Sequence, residues 1–401
     1  MELLETQLSA ASSAEMRLSG LVRYSDGATE GYWFTFPCTM KPPTSGNPWL
    51  ACLLPLAVQR GEDLALCHPV DPEMLYGARC LMLLWRTWYP HLPMIRVQAD
   101  TAVIEERPPD SIALFSGGVD SYFTAMRHPE TRHYLNVLGF DMPLRKRDAY
   151  ERNVSRLDRV AGEWGAHIIR MSTNLRETRW GKAPWESFCS GGALAGAGLV
   201  LERNFGRVLI PAAFDYTVLG WPLPTRTHPH PWGYHPVSDP LYSTSRCQIS
   251  HDGGGHSRIE KTQFITESSL VRATLHVCYK GSDGKGQDDT NCCRCAKCYR
   301  TMAVLDIIGR LNDCALFDAS TYDVRKIADV YTGSLTDRLF FLDIRRHALE
   351  HGRHDIVEQV NRSLRRSAFV LQFDRLVQTP LLWRLRRYVR RHALSGLVGQ
   401  S

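Results

Sequence analysis

The sequence predicts an α/β protein with a parallel-sheet core, a small α+β domain before it and a basic helical region after it. Three observations predict this. Strand-like and helix-like segments alternate from Ser111 to about Leu311, the pattern of βαβ units with right-handed crossovers. A short glycine-rich segment, SGGVDS, follows an apolar strand-like run and opens a helix. Residues 1–106 and 312–401 break the alternation, which gives domain boundaries near 106 and 311.

In the first module, GLVRYSDGATEGYWFTFP pairs β-forming runs with turn residues and reads as strands. DPEMLYGARCLMLLWRTWYPHL reads as a helix entered through Asp71 and Pro72. Met94 to Ile104 reads as a strand, and the polar, proline-containing EERPPDS closes the module. In the core, IALF, YLNVLGF, HIIRMST, RVLIPAA and CQISHDG read as strands. SYFTAMRH, DAYERNVSRLDRVAGEWG, ALAGAGLVLERNFG and SRIEKTQFITE read as the helices between and after them. From Asn312 the chain reads mainly as helix. The segment from Phe214 to Arg246 is long and rich in Pro, His and Trp, the profile of a binding loop or lid.

The 401 residues are 44% hydrophobic and 22% charged, ordinary for a globular chain. No run approaches the roughly 18 apolar residues of a membrane span. The start carries Glu2 and Glu5 where a signal peptide needs Lys or Arg, so a cytoplasmic protein is expected. The net charge of +6 is unevenly spread. Asn361 to Ser401 holds nine Arg against one Asp, a charge of +8, which leaves −2 for the rest.

SGGVDS is suited to an anion. Gly117 and Gly118 let backbone N–H groups close on a phosphate, Ser116 and Ser121 add hydroxyls, and the helix start adds its dipole. Asp120 can cap that helix or hold Mg²⁺ against phosphates. The competing reading is a glycine-rich turn with a capping Asp. The chain has no GxxxxGK[ST] segment, so the loop is not of the Walker type. IALFSGGVDS resembles the pyrophosphate loop of the PP-loop ATP pyrophosphatase superfamily, at Ser116, Gly117, Gly118, Asp120 and Ser121 with Val119 at the variable place. The resemblance implies a Rossmann-like, adenine nucleotide alpha hydrolase-like fold. It also implies cleavage of ATP to AMP and pyrophosphate as a substrate oxygen is adenylated, followed by attack of a nitrogen or sulfur nucleophile.

Four of the twelve cysteines crowd into NCCRCAKC. Cys292, Cys295 and Cys298 stand at metal-ligand spacing, and Cys278 is the best fourth ligand for zinc. An iron–sulfur cluster is the competing cofactor, and buried thiols or a redox pair are the plain alternatives. Cys293 is expected to point away. A PP-loop domain closed by this cysteine pattern resembles the 7-cyano-7-deazaguanine synthase family over roughly residues 110–310. That family turns a deazaguanine carboxylate into an amide and then a nitrile with ammonia, ATP and a four-cysteine zinc. The resemblance carries over Ser116 to Ser121, the four cysteines and, through SRIEKTQFI, a catalytic role for Lys261 beside Asp120. The added ends and the unlike loop PWGYHPVSDPLYS leave the acceptor open, and the layout is closer to synthase-like proteins of bacterial defence and biosynthetic clusters.

Other residues are weighed against plain readings. Lys261 could neutralise the α-phosphate or be a surface lysine, and Arg258 is a weaker candidate for the same role. Trp232 could stack on a planar substrate and Asp239 could bind a ring nitrogen or amine, whereas Trp232 and His235 also suit a packed loop. His228, His230 and His235 are irregularly spaced for metal, HDGGGH reads as a tight turn, and Arg176 and Arg179 read as a solvated face. Leu381, Leu382, Leu385, Tyr388 and Val389 form one stripe of an arginine-rich tail helix. That helix could dock on its own domain or on RNA or an acidic protein. The expected acceptor is therefore a small molecule such as a deazapurine, or else a protein or RNA. Non-catalytic ATP sensing is the rival function, and a homodimer is among the expected assemblies.

Overall fold

The structure, a computed structural model, describes residues 1–102, 107–220, 231–278 and 290–376. They divide into two compact units, one of Met1–Ser116 with Asp120–His256, the other of Gly117–Val119 with the chain from Ser257 on.

The first unit is a mixed α/β structure. Its elements are β1 (Glu2–Ala10), β2 (Glu15–Arg23), β3 (Thr29–Pro37), α1 (Asn47–Arg60), β4 (Leu64–Leu66), α2 (Pro72–Trp88), β5 (Val97–Gln98), β6 (Ser111–Leu114), α3 (Val119–Arg127), β7 (His133–Leu138), α4 (Arg147–Glu163), β8 (His167–Thr173), α5 (Ser190–Leu199), β9 (Arg207–Pro211), α6 (Tyr216–Gly220) and β10 (Gln248–Asp252). Among the described residues they form a ten-stranded sheet ordered β10-β9-β6-β7-β8-β3-β2-β1-β4-β5. The pairs from β10 to β8 are parallel, and β3 joins β8 antiparallel through Phe34–Thr173 and Thr35–Ser172. The module expected to end at residue 106 thus extends the core sheet and does not stand apart from it. Asn174 secures the junction: its Oδ1 accepts from Trp33 N at 2.9 Å and its Nδ2 donates to Gly31 O at 2.8 Å.

Local chemistry explains the helices. Asp71 caps α2 by accepting from Glu73 N, with Pro72 in the first turn. α1 is buried continuously from Asn47 to Val58, so it has no polar stripe and no amphipathic period to betray it. It packs on α5, where a side chain at Gly196 would lie 2.3 Å from Cys52 Sγ. Of the expected strand from Met94 to Ile104, the described residues hold β5 and a bridge between Val70 and Thr101, and Val103 and Ile104 lie outside the described residues. The helix expected from Ala193 to Gly206 begins at Ser190 and ends at Leu199.

The second unit is helical: α7 (Arg258–Ile265), α8 (Ser269–Thr274), α9 (Ala296–Ile307), α10 (Leu335–Glu350) and α11 (His354–Leu376). Ile259, Ala303, Val304, Ile327, Phe341 and Ile344 belong to its core. Arg353 ties the start of α11 to α9 through Asp306 at 2.7 Å. No described helix is long and apolar enough to cross a membrane. The tail stripe Leu381–Val389, His228 and His230 lie outside the described residues.

Candidate metal centre and phosphate loop

The SGGVDS segment starts where β6 leaves the sheet. Phe115 N donates to Leu135 O at 2.9 Å, and Phe115 O accepts from the buried Asn136 Nδ2 at 2.6 Å. The chain then turns through Ser116, Gly117 and Gly118. Gly117 has φ of +78°, a conformation that side chains disfavour. α3 begins at Val119, which puts Asp120 in its first turn. Ser116 Oγ and Ser121 Oγ lie 3.4 Å apart. A positive-φ glycine, two hydroxyls and a helix start are the parts of an anion-binding loop.

Lys261 lies in α7, whose N-terminus carries a full capping box between Ser257 and Glu260. Its side chain is only 1% exposed, so the surface-lysine reading does not hold. A buried ammonium costs far more than an exposed one unless charge or hydrogen bonds compensate it. The Arg258 guanidinium lies over the Phe340 ring at 5.4 Å.

Cys278, Cys292, Cys295 and Cys298 come together in the second unit. Their sulfur atoms all lie within 4.8 Å of one another, so the four could hold a metal such as zinc. Cys278 Sγ is 3.7 Å from Cys295 Sγ, and Cys292 Sγ is 3.7 Å from Cys298 Sγ. Cys295 is also the N-cap of α9, its Sγ accepting from Cys298 N at 3.5 Å. Asn291 closes the gap between the two cysteine segments. Its Oδ1 accepts from Val277 N at 2.8 Å and Cys278 N at 3.2 Å, and its Nδ2 donates to Leu275 O at 3.0 Å. Cys293 is not one of the four. It takes φ of +53°, and its Sγ accepts from Asp318 N at 3.2 Å.

The four thiols shift one another in opposite directions. Hydrogen bonds from Cys292, then from Cys295 and Cys298, hold the Cys278 thiol far below the ordinary thiol range. Cys278 and then Cys292 push Cys295 up, and the three other cysteines push Cys298 up. Against the raising effect of Cys278, Cys295 and Cys298 together also lower Cys292, to about 6. Two thiols thus ionise readily and oppose the other two, beside which any further anion has to sit. A divalent ion removes that opposition.

The long loop places its candidates in packed surroundings. Trp232 is buried edge-on against Phe214 at 5.1 Å and Tyr234 at 5.9 Å. Asp239 is fully buried: its Oδ2 accepts from His251 Nδ1 at 2.7 Å, and its Oδ1 accepts from His235 N at 2.9 Å. HDGGGH ends β10 in a turn, with Gly253 at φ of +82° and His256 N donating to Gly253 O at 3.2 Å. Arg176 donates to Phe140 O at 2.7 Å and lies over Trp185, and Arg179 pairs with Asp26 at 2.6 Å. No family model, curated protein or solved structure matches the chain.

Two features have no counterpart in the sequence reading. Asn291 is adjacent to Cys292, but its role depends on Cys278 thirteen residues earlier. Asp239 and His251 are separated by a 3-10 turn and most of β10, with no spacing that signals their contact.

Proposed function

We propose that the protein is an ATP-dependent adenylating ligase with chemistry like that of 7-cyano-7-deazaguanine synthases. The observation that carries this is the loop Ser116–Ser121, set between β6 and α3 at the carboxyl end of a parallel strand, where open α/β sheets bind ligands. In this reading backbone N–H groups of the loop and the hydroxyls of Ser116 and Ser121 hold the phosphates of ATP. Asp120 would hold Mg²⁺ there, and the ion would supply charge neutralisation on the departing pyrophosphate. A carboxylate or amide oxygen of the acceptor attacks the α-phosphate, and a nitrogen nucleophile then displaces AMP. Lys261 enters as a catalytic cation from the sequence resemblance, and its burial fits a lysine kept for more than solubility.

The cysteine group is read as a structural zinc site. A tetrahedral ion with Zn–S near 2.3 Å sets sulfur atoms about 3.8 Å apart, and both short sulfur separations are 3.7 Å. A four-iron cluster puts each thiolate on a different iron and spreads the sulfurs more widely. Four protein ligands close the site and leave no position for a reacting group.

The test is nucleotide analysis with MgATP, ammonium chloride and 7-carboxy-7-deazaguanine as first acceptor. The expected products are AMP and pyrophosphate in equal amounts, with Asp120→Ala lowering the rate at least a hundredfold. ADP as product removes the mechanism. MgATP binding without turnover on small-molecule, RNA or protein acceptors favours nucleotide sensing instead.

A further inference from the structure

The first unit buries a second group of polar side chains around β10. His251 is the penultimate residue of that strand, and its imidazole is 2% exposed. Asp239, on the 3-10 turn Asp239–Tyr242, accepts from His251 Nδ1. A carboxylate only accepts, so the proton lies on Nδ1, and Nε2 of the neutral ring carries a lone pair. His235 is set the other way. Its Nδ1 accepts from Val237 N at 3.1 Å, so the neutral ring carries its proton on Nε2. His251 Nε2, Tyr242 Oη and Ser190 Oγ are buried without a hydrogen-bond partner among the described residues, whereas the His235 ring also reaches the Leu219 backbone.

These atoms share one neighbourhood. Gly191 N, beside Ser190, donates to Gly233 O at 2.9 Å, and the Tyr234 ring is 6.3 Å from that of His251. A side chain at Gly192 would meet Tyr242 Oη at 3.2 Å. A buried polar atom left unpaired carries its full desolvation penalty, so three together are a poor way to fill a core. A histidine kept for packing has both nitrogens satisfied. An imidazole that a carboxylate grips at Nδ1 and leaves unbonded at Nε2 is instead built as a base, because the carboxylate stabilises the imidazolium that forms.

The cluster also stands at the right edge. β6, β9 and β10 are parallel neighbours, so their carboxyl ends share one side of the sheet. Two inter-strand spacings put the end of β10 roughly 10 Å from that of β6. The next residue, Asp252, accepts from Thr124 Oγ1 of α3 at 2.7 Å, which fastens β10 to the helix that follows the phosphate loop.

We propose that His251 is the proton acceptor for the nitrogen nucleophile, with Asp239 as its positioning residue. The inference rests on the ligase reading above. As the C–N bond forms, the C–O bond to AMP breaks and AMP leaves with that electron pair. The nitrogen's N–H bond breaks, its electron pair stays on nitrogen, and the proton passes to His251 Nε2.

The test uses the full chain with MgATP, 7-carboxy-7-deazaguanine and ammonium chloride, following the pyrophosphate burst and steady AMP release separately. His251→Asn keeps a donor near Asp239 but lacks Nε2. The expected result is a retained burst, AMP release slowed about 10²–10⁴-fold, and partial recovery with added imidazole. Asp239→Asn is expected to slow the same step without imidazole recovery, and its burst reports that the protein is folded. Unchanged AMP release in His251→Asn, or equal loss of burst and release with no imidazole recovery, overturns the proposal while active wild-type protein preserves the ligase reading. Wild-type protein that releases neither product overturns that reading and the proposal with it.

Discussion

His235 shows how one residue carries a measurable free-energy signature. Burial, and then the neighbouring His251, pushes its pKa down to about 4. An unfolded histidine titrates near 6.5. Between about pH 6.5 and 4 the unfolded chain binds a proton that the folded chain does not, so stability falls as pH drops through this window and gains nothing above it. The separation amounts to about 3 kcal/mol. Urea unfolding of His235→Gln is therefore expected to lose a difference of that size between pH 7 and pH 4 relative to wild type. Identical pH slopes for the two proteins would mean that His235 is hydrated in the folded state. Asp239 and Lys261 make a related point. Asp239 sits in a segment that reads as a loop and Lys261 in one that reads as a helix, with a surface position as one of its two readings, yet both are buried to 1% or less.

Among elements, the contact of α1 with α5 depends on small residues. α5 contains Gly191, Gly192, Gly196 and Gly198, a composition poor in helix propensity. The helix persists because close packing replaces what propensity withholds. A methyl group at Gly196 meets Cys52 Sγ at 2.3 Å and Pro48 O at 3.0 Å, and the backbone contact has no flexible end to yield. Gly196→Ala is expected to cost at least about 1–3 kcal/mol, read as a lower urea midpoint at unchanged m-value. Recovery on adding Cys52→Ala would assign the larger share to sulfur. The metal site follows the same logic of elements held by one side chain. Asn291 spans both cysteine segments with three backbone hydrogen bonds, and α9 starts on Cys295, one of the four that could hold a metal, so an ion bound there would be linked to folding of that helix.

At the scale of the whole molecule, the sheet and the cysteine group belong to different compact units. Chelation with a strong zinc chelator is expected to raise amide exchange through α8 and α9 while β1, β2 and β3 stay protected. Cys298→Ser should reproduce that pattern and Cys293→Ser should not, because Cys293 lies outside the group of four. Exchange that rises equally in the strands would show that the ion supports the entire chain. Protection shared by β3 and β8 would reflect their direct pairing.

The alternation of strands and helices was legible because apolar periodicity is local: β8 runs from His167 to Thr173 as HIIRMST suggests, and the Asp71 cap of α2 stands where expected. The four cysteines were legible for the same reason, since three of them lie within seven residues. Other features were not, because they arise from contacts between distant segments. α1 hides in a run without polar interruption, and the join of β3 to β8 spans more than 130 residues. Asn291 gains its role from Cys278, and Asp239 gains a histidine from another element. By itself the sequence determined the α/β class and the four cysteines that could hold a metal. Tertiary structure alone decided that the first hundred or so residues extend the core sheet and that Asp239 serves His251, because burial and pairing depend on what the folded chain brings alongside each residue.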